Sequence, residues 1–148
     1  MVELYALDTN VYIRALRVRE SMVALRGFLL RAGTRLRMNA VVAQELRAGA
    51  ITPAHEHTVD DLLGAYASRD RVIVPSFAAH VEAGRVLAAL HRAEGIQVSR
   101  AGSLVNDVLL ATSCREAGAC LVTENVGDFA AAQRHLRGFR FVATGDVM

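Results

Sequence analysis

Apolar positions along the chain fall into short runs separated by longer stretches at helical spacing. Residues 2–7 (Val2-Glu3-Leu4-Tyr5-Ala6-Leu7) read as a buried strand. Ser21 to Ala32 repeats apolar positions at helical intervals and is stopped by Gly33, which predicts an amphipathic helix. Arg35 to Met38 alternates like a short strand and is followed by a helix over Ala40–Ala48. At Thr52-Pro53, threonine caps and proline opens a helix reaching about Ser68. Val72–Val74 is a third short strand, and Ser76 caps a long helix to about Ala93. Leu104–Ala117 is helical, Ala119–Val122 a strand, Asp128–Leu136 a helix and Phe139–Val142 the last strand. Strands alternating with helices predict an α/β fold, a three-layer sandwich around a mainly parallel sheet. In such folds ligands gather at the carboxyl ends of the strands, where the strand order reverses.

Four polar residues sit where this pattern expects core or strand ends. Asp8 ends the first apolar run, Glu45 lies within Val41-Val42-Ala43-Gln44-Glu45-Leu46, Asp107 within Asn106-Asp107-Val108-Leu109-Leu110-Ala111, and Asn125 closes Leu121-Val122-Thr123-Glu124-Asn125. Singly, each has an ordinary reading. Asp8 caps a helix beginning at Thr9 or Asn10, Asp107 caps or lines a solvated face, and Glu45 is a surface glutamate. Against this, Asp107, Ala111 and Cys114 share one helical face built of small residues, an odd place for an unpaired acid. Two carboxylates about 5 Å apart repel by roughly 3 kcal/mol at an effective dielectric near 20. Three that converge call for a divalent cation, and oxygen-only ligands favour magnesium or manganese over zinc.

Composition narrows the classes. The 148 residues fit one domain, and 53% hydrophobic with 5% aromatic residues predicts a core of Ala, Val and Leu. No apolar run approaches the ~20 residues of a membrane span and no signal-peptide pattern opens the chain, so a cytoplasmic protein without a membrane partner is expected. Cys114 and Cys120 are too few for a zinc or disulfide framework and read as buried free thiols. The net charge of +2 does not by itself argue for nucleic acid. All 17 basic residues are arginine, which suits bidentate phosphate contacts, but a GC-rich genome gives the same bias. His55-Glu56-His57 reads as a solvated first turn, since histidines two apart on a helix diverge. His80 and His91 are expected at helix interfaces, and no glycine-rich phosphate loop follows the first strand.

The motifs Leu7-Asp8-Thr9-Asn10-Val11, Gln44-Glu45-Leu46, Asn106-Asp107-Val108-Leu109-Leu110-Ala111 and Val122-Thr123-Glu124-Asn125-Val126-Gly127-Asp128-Phe129, in this order and spacing, resemble the PIN-domain family. Within it they resemble the VapC-type toxin ribonucleases of bacterial toxin–antitoxin pairs, over nearly the whole chain. The resemblance implies one PIN domain over residues 1–148 and a Mg2+-dependent endoribonuclease, with Mn2+ as a substitute. Asp8, Glu45 and Asp107 match the acidic metal-binding triad, and Asn125 a fourth position that is acidic in many members. Thr9 and Thr123 match small hydroxyl residues beside the site. Glu124 stands where a basic residue is frequent, which leaves the fourth ligand open among Asn125, Asp128 and Glu124. The resemblance also implies an RNA substrate, a VapB-like antitoxin and a homodimer, with the helices between Ser21 and Ser68 as the groove for both protein contacts.

The competing readings differ in class. A phosphatase of the haloacid-dehalogenase kind also ends its first strand on aspartate but needs an acid two residues on, where this chain has Asn10. It and receiver domains also employ a lysine, and this chain has none. Flap-type DNA nucleases share the carboxylates but normally carry added DNA-binding elements. A non-catalytic RNA-binding or interaction module would be favoured by loss of Asp8, Glu45 or Asp107, and all three are present. A stand-alone RNA-processing nuclease keeps the same site without an antitoxin.

Overall fold

The computed structural model describes residues 3–97 and 102–148; Val2, the first residue of the predicted opening strand, lies outside them. The strands are β1 (Leu4–Leu7), β2 (Leu36–Asn39), β3 (Val72–Ile73), β4 (Ala119–Thr123) and β5 (Phe141–Ala143). The helices are α1 (Thr9–Arg17), α2 (Arg19–Ala32), α3 (Ala40–Gly49), α4 (Pro53–Ala67), α5 (Phe77–Glu94), α6 (Gly102–Ala117) and α7 (Val126–Gln133). The sheet order is β3-β2-β1-β4-β5 with every pair parallel, an α/β/α sandwich. β1 has β2 on one side and β4 on the other, so the strand order reverses between β1 and β4.

Alternation along β1 sends Tyr5 and Leu7 to one face and Ala6 and Asp8 to the other. Tyr5 meets Phe28 of α2 edge to face, with ring centroids 5.5 Å apart. The opposite face carries α6, whose Val108, Leu110, Ala111 and Cys114 are fully buried. β4 is buried along its whole length, as a central parallel strand covered on both faces must be. Cys114 and Cys120 are free and buried, and burial pushes the Cys114 thiol up to about 12.

Several boundaries depart from the sequence reading. Thr9–Arg17 forms a complete helix, with Asp8 as its cap. α7 begins at Val126 rather than Asp128 and ends at Gln133. The Asn125 carbonyl accepts the Phe129 N–H at 3.4 Å, which starts the helix two residues early. Leu136 and Phe139 are buried in the turns that follow, so apolar character there marks core contact rather than regular structure. His80 and His91 are exposed, not interfacial; their Nδ1 atoms lie 2.7 Å from the Ser76 carbonyl and 2.9 Å from the Ile96 carbonyl. His55 and His57 lie on a solvated face, as expected. Among the described residues, no helix is long and apolar enough to cross a membrane.

Candidate active site

Asp8 follows β1 directly, at the strand-order reversal, and is 5% exposed. Its Oδ1 accepts the Thr9 N–H at 2.8 Å, which caps α1. Its Oδ2 accepts the Thr123 hydroxyl at 2.7 Å and the Asn10 amide at 3.3 Å. Burial pushes the carboxyl above its ordinary value against these hydrogen bonds, and Glu45 pushes in the same direction. One Asp8 oxygen thus caps α1, and the other faces Thr123 and Asn10.

Glu45 comes from α3, half-buried, and its Oε1 accepts the Thr9 hydroxyl at 2.8 Å. Asp107 projects from the amino-terminal half of α6, where Asn125 Nδ2 donates to its Oδ2 at 3.3 Å. The same amide donates to Asp128 Oδ2 at 2.9 Å, so Asn125 places the positive end of its dipole between two acids. The Asp107 carboxyl is pushed up to about 7, first by burial and then by the charges of Asp8, Asp128 and Glu45. Thr123, the last residue of β4, is fully buried, donates to Asp8, and accepts the Asn125 N–H at 3.0 Å.

Asp8, Thr9, Glu45, Asp107, Thr123, Asn125 and Asp128 therefore meet at one end of the sheet, whereas the Glu124 side chain takes another partner. That side chain pairs with Arg14 of α1 at 3.1 Å, with both side chains partly exposed. Two further polar residues lie in this neighbourhood that the sequence reading did not assign to it. Asn10 donates to Asp8, while its Oδ1 is buried without a partner. Asn39 is fully buried at the end of β2; the signal for it was an amide between a strand and the predicted helix start at Ala40.

The donor set consists of oxygens, crowded and mutually repelling, with an unpaired buried carbonyl alongside. A hard divalent cation suits that chemistry better than any softer metal. Among the described residues, no group of three or more His, Cys, Asp or Glu side chains is placed to hold a metal ion as the side chains stand, and the Asn125 amide lies between Asp107 and Asp128.

Residues 5–134 match the family described as PIN domain, and the chain belongs to that family. PIN domains are in general nucleases. The fold is shared with VapBC from Salmonella typhimurium bound to DNA, at 22% identity and a TM-score of 0.71, covering 97% of this chain and 99% of the other. VapBC-1 from nontypeable Haemophilus influenzae matches at 23% identity and a TM-score of 0.67, covering 96% and 98%. FitAcB from Neisseria gonorrhoeae matches at 16% identity and a TM-score of 0.69, covering 96% and 99%. No curated protein matches the sequence.

Proposed function

We propose that this protein is a Mg2+-dependent endoribonuclease of the VapC type, the toxin of a toxin–antitoxin pair, with Mn2+ able to replace Mg2+. The observation that carries the reading is the convergence of acids from four elements, where burial first and the neighbouring charges second push the Asp107 carboxyl up to about 7. Such crowding disfavours the metal-free charged state and has an obvious use if a cation relieves it. Asp8 and Asp107 would hold the metal, with Glu45 binding directly or through water. Asp128 or Asn125 would supply the remaining position, and the Arg14 pairing argues against Glu124. The bound cation would polarise the phosphoryl oxygens and lower the pKa of the attacking water.

The side chains divide the remaining work. Thr9 fixes one Glu45 oxygen and leaves the other to orient the attacking water. Thr123 and the Thr9 N–H fix both Asp8 oxygens, so this carboxylate cannot rotate away from its ligand position. Asn125 holds Asp107 toward Asp128 and would position a water or phosphate oxygen once a cation takes over the acids.

An RNA-cutting enzyme needs restraint in the cell, and a VapB-like antitoxin would supply it. A cavity of about 300 Å³ between α1, α3 and α4 carries Leu16, Leu46 and Val59 beside Arg17 and reaches Glu45. It supports an antitoxin segment whose apolar face fills the groove and whose cation reaches the acids. The resemblance also supports a homodimer. The test is purified protein with RNA, with Mg2+ or Mn2+ and then with chelator. Cleavage should require the metal and stop with chelation; cleavage that persists without metal overturns the reading.

A further inference from the structure

In the parallel register Ala6 lies beside Arg37 and Leu7 beside Val122. Continued to the strand ends, this sets Asp8 between Asn39 of β2 and Thr123 of β4, all on the face that α6 covers. The three are 5%, 0% and 0% exposed, and with Thr112 and Ser113 of α6 they are the buried polar side chains among the described residues. Thr123 touches Asp8 directly, whereas Asn39 turns to the helices. Its Oδ1 accepts the Val41 N–H at 3.0 Å and so caps α3, the helix that carries Glu45. Its Nδ2 donates to Ser113 Oγ at 2.8 Å and lies 3.8 Å from Cys114 Sγ, both on α6, the helix that carries Asp107. Ser113 in turn donates to the Leu110 carbonyl at 3.0 Å, which fixes the hydroxyl so that its lone pair faces the amide. One amide thus ties the start of α3 to the body of α6.

We infer that Asn39 is a positioning residue: its amide sets the separation of the Glu45 and Asp107 carboxylates by pinning α3 to α6. The inference rests on the nuclease reading above. Neither acid touches Asn39, so its influence passes through the two helix backbones. A fully buried amide fits this task because its acceptor and donor ends are both used and its planar geometry fixes the angle between them. A hydroxyl could cap α3 equally well but could not span to Ser113.

The substitutions separate the two ends of the amide. Asn39→Ser keeps an N-cap oxygen and loses the donor to α6; Ser113→Ala removes the acceptor; Asn39→Ala removes both functions of the amide. Mn2+ binding to the full chain is read by the loss of free-ion spin resonance signal, beside melting midpoints and RNA cleavage. Asn39→Ser and Ser113→Ala should each weaken Mn2+ binding about tenfold, the range seen when groups supporting metal ligands are removed. Both should lower kcat with little change in KM and stay folded. The double variant should be no weaker than either single one, because both remove the same bond. Wild-type Mn2+ affinity in Asn39→Ser and Ser113→Ala, or losses that multiply in the double variant, would overturn the assignment and leave the nuclease reading intact. A change confined to melting midpoints would also overturn it, since a merely structural residue behaves that way. A wild-type chain that neither binds Mn2+ nor cleaves RNA would overturn the nuclease reading and this inference with it.

Discussion

The proton on Asp107 links the site to stability with a definite sign. The folded protein binds it up to about 7, whereas an aspartate in the unfolded chain releases it near the ordinary 3.8. Between those values the folded state holds more protons than the unfolded one, so its stability falls as pH rises. Denaturant titrations of the metal-free protein at pH 5 and pH 8 should therefore show this group favouring the lower pH, and Asp107→Asn should flatten that difference. At pH 8 the same substitution should leave the metal-free fold as stable or stabilise it, by up to roughly 3 kcal/mol, through the charge it removes. Cleavage should nevertheless be lost in Asp8→Asn and Asp107→Asn, assayed on RNA with saturating Mg2+; near-normal turnover in either would displace that residue from the site. Asn125→Ala should be milder, because an amide is a weak ligand, and its effect should appear as a moderate fall in turnover.

Elements meet at this site because their ends are fixed by local chemistry. Asp8, Asn39 and Ser76 cap α1, α3 and α5 with their side chains, and Thr52 caps α4 ahead of Pro53. The join between α6 and β4 depends on Gly118, whose φ of +70° lies in the left-handed region. That one residue turns the chain from the helix bearing Asp107 to the strand bearing Thr123. Gly118→Ala should cost about 1–2 kcal/mol in chemical denaturation, although a new methyl there meets nothing within 4 Å. A second joint is the pair of hydroxyls of Tyr12 on α1 and Tyr66 on α4, 2.9 Å apart with Tyr12 almost fully buried. Tyr12→Phe leaves the Tyr66 hydroxyl without that partner and should destabilise by about 1 kcal/mol in the same measurement. A neutral result there would show that water replaces the bond.

At the scale of the whole molecule, the proposed metal and the fold would be interdependent. A cation that binds only the folded protein adds stability by mass action, about 2.7 kcal/mol at a hundred times its dissociation constant. Mg2+ should raise the melting temperature and chelator should return it. Binding near pH 6 should release protons, seen as a heat that changes with the ionisation enthalpy of the buffer. In cells, expression should arrest growth, and the adjacent small gene should rescue it and co-purify as a complex. Harmless expression beside an absent neighbour would favour a stand-alone RNA-processing nuclease.

Much of this was legible in the residues. Alternating short apolar runs and helical stretches determined the parallel α/β order, because each element must bury one stripe or two faces. Thr52, Pro53 and Ser76 marked helix starts by their own hydrogen-bonding preferences, and acids on apolar faces marked Asp8 and Asp107. The end of the chain was misread because Leu136 and Phe139 are apolar for contact with the core rather than for any repeating face. Only the tertiary structure decided which charges compete. Asn125 was an isolated amide until folding set it between Asp107 and Asp128, and Glu124 an acid without a partner until α1 brought Arg14 to it. Beyond its local cap on α3, the role of Asn39 remained invisible because its other partners lie 74 and 75 residues away on α6. Local preference is written in neighbouring residues, whereas a carboxylate's pKa and an amide's partners depend on strands and helices that meet only after the chain has closed upon itself.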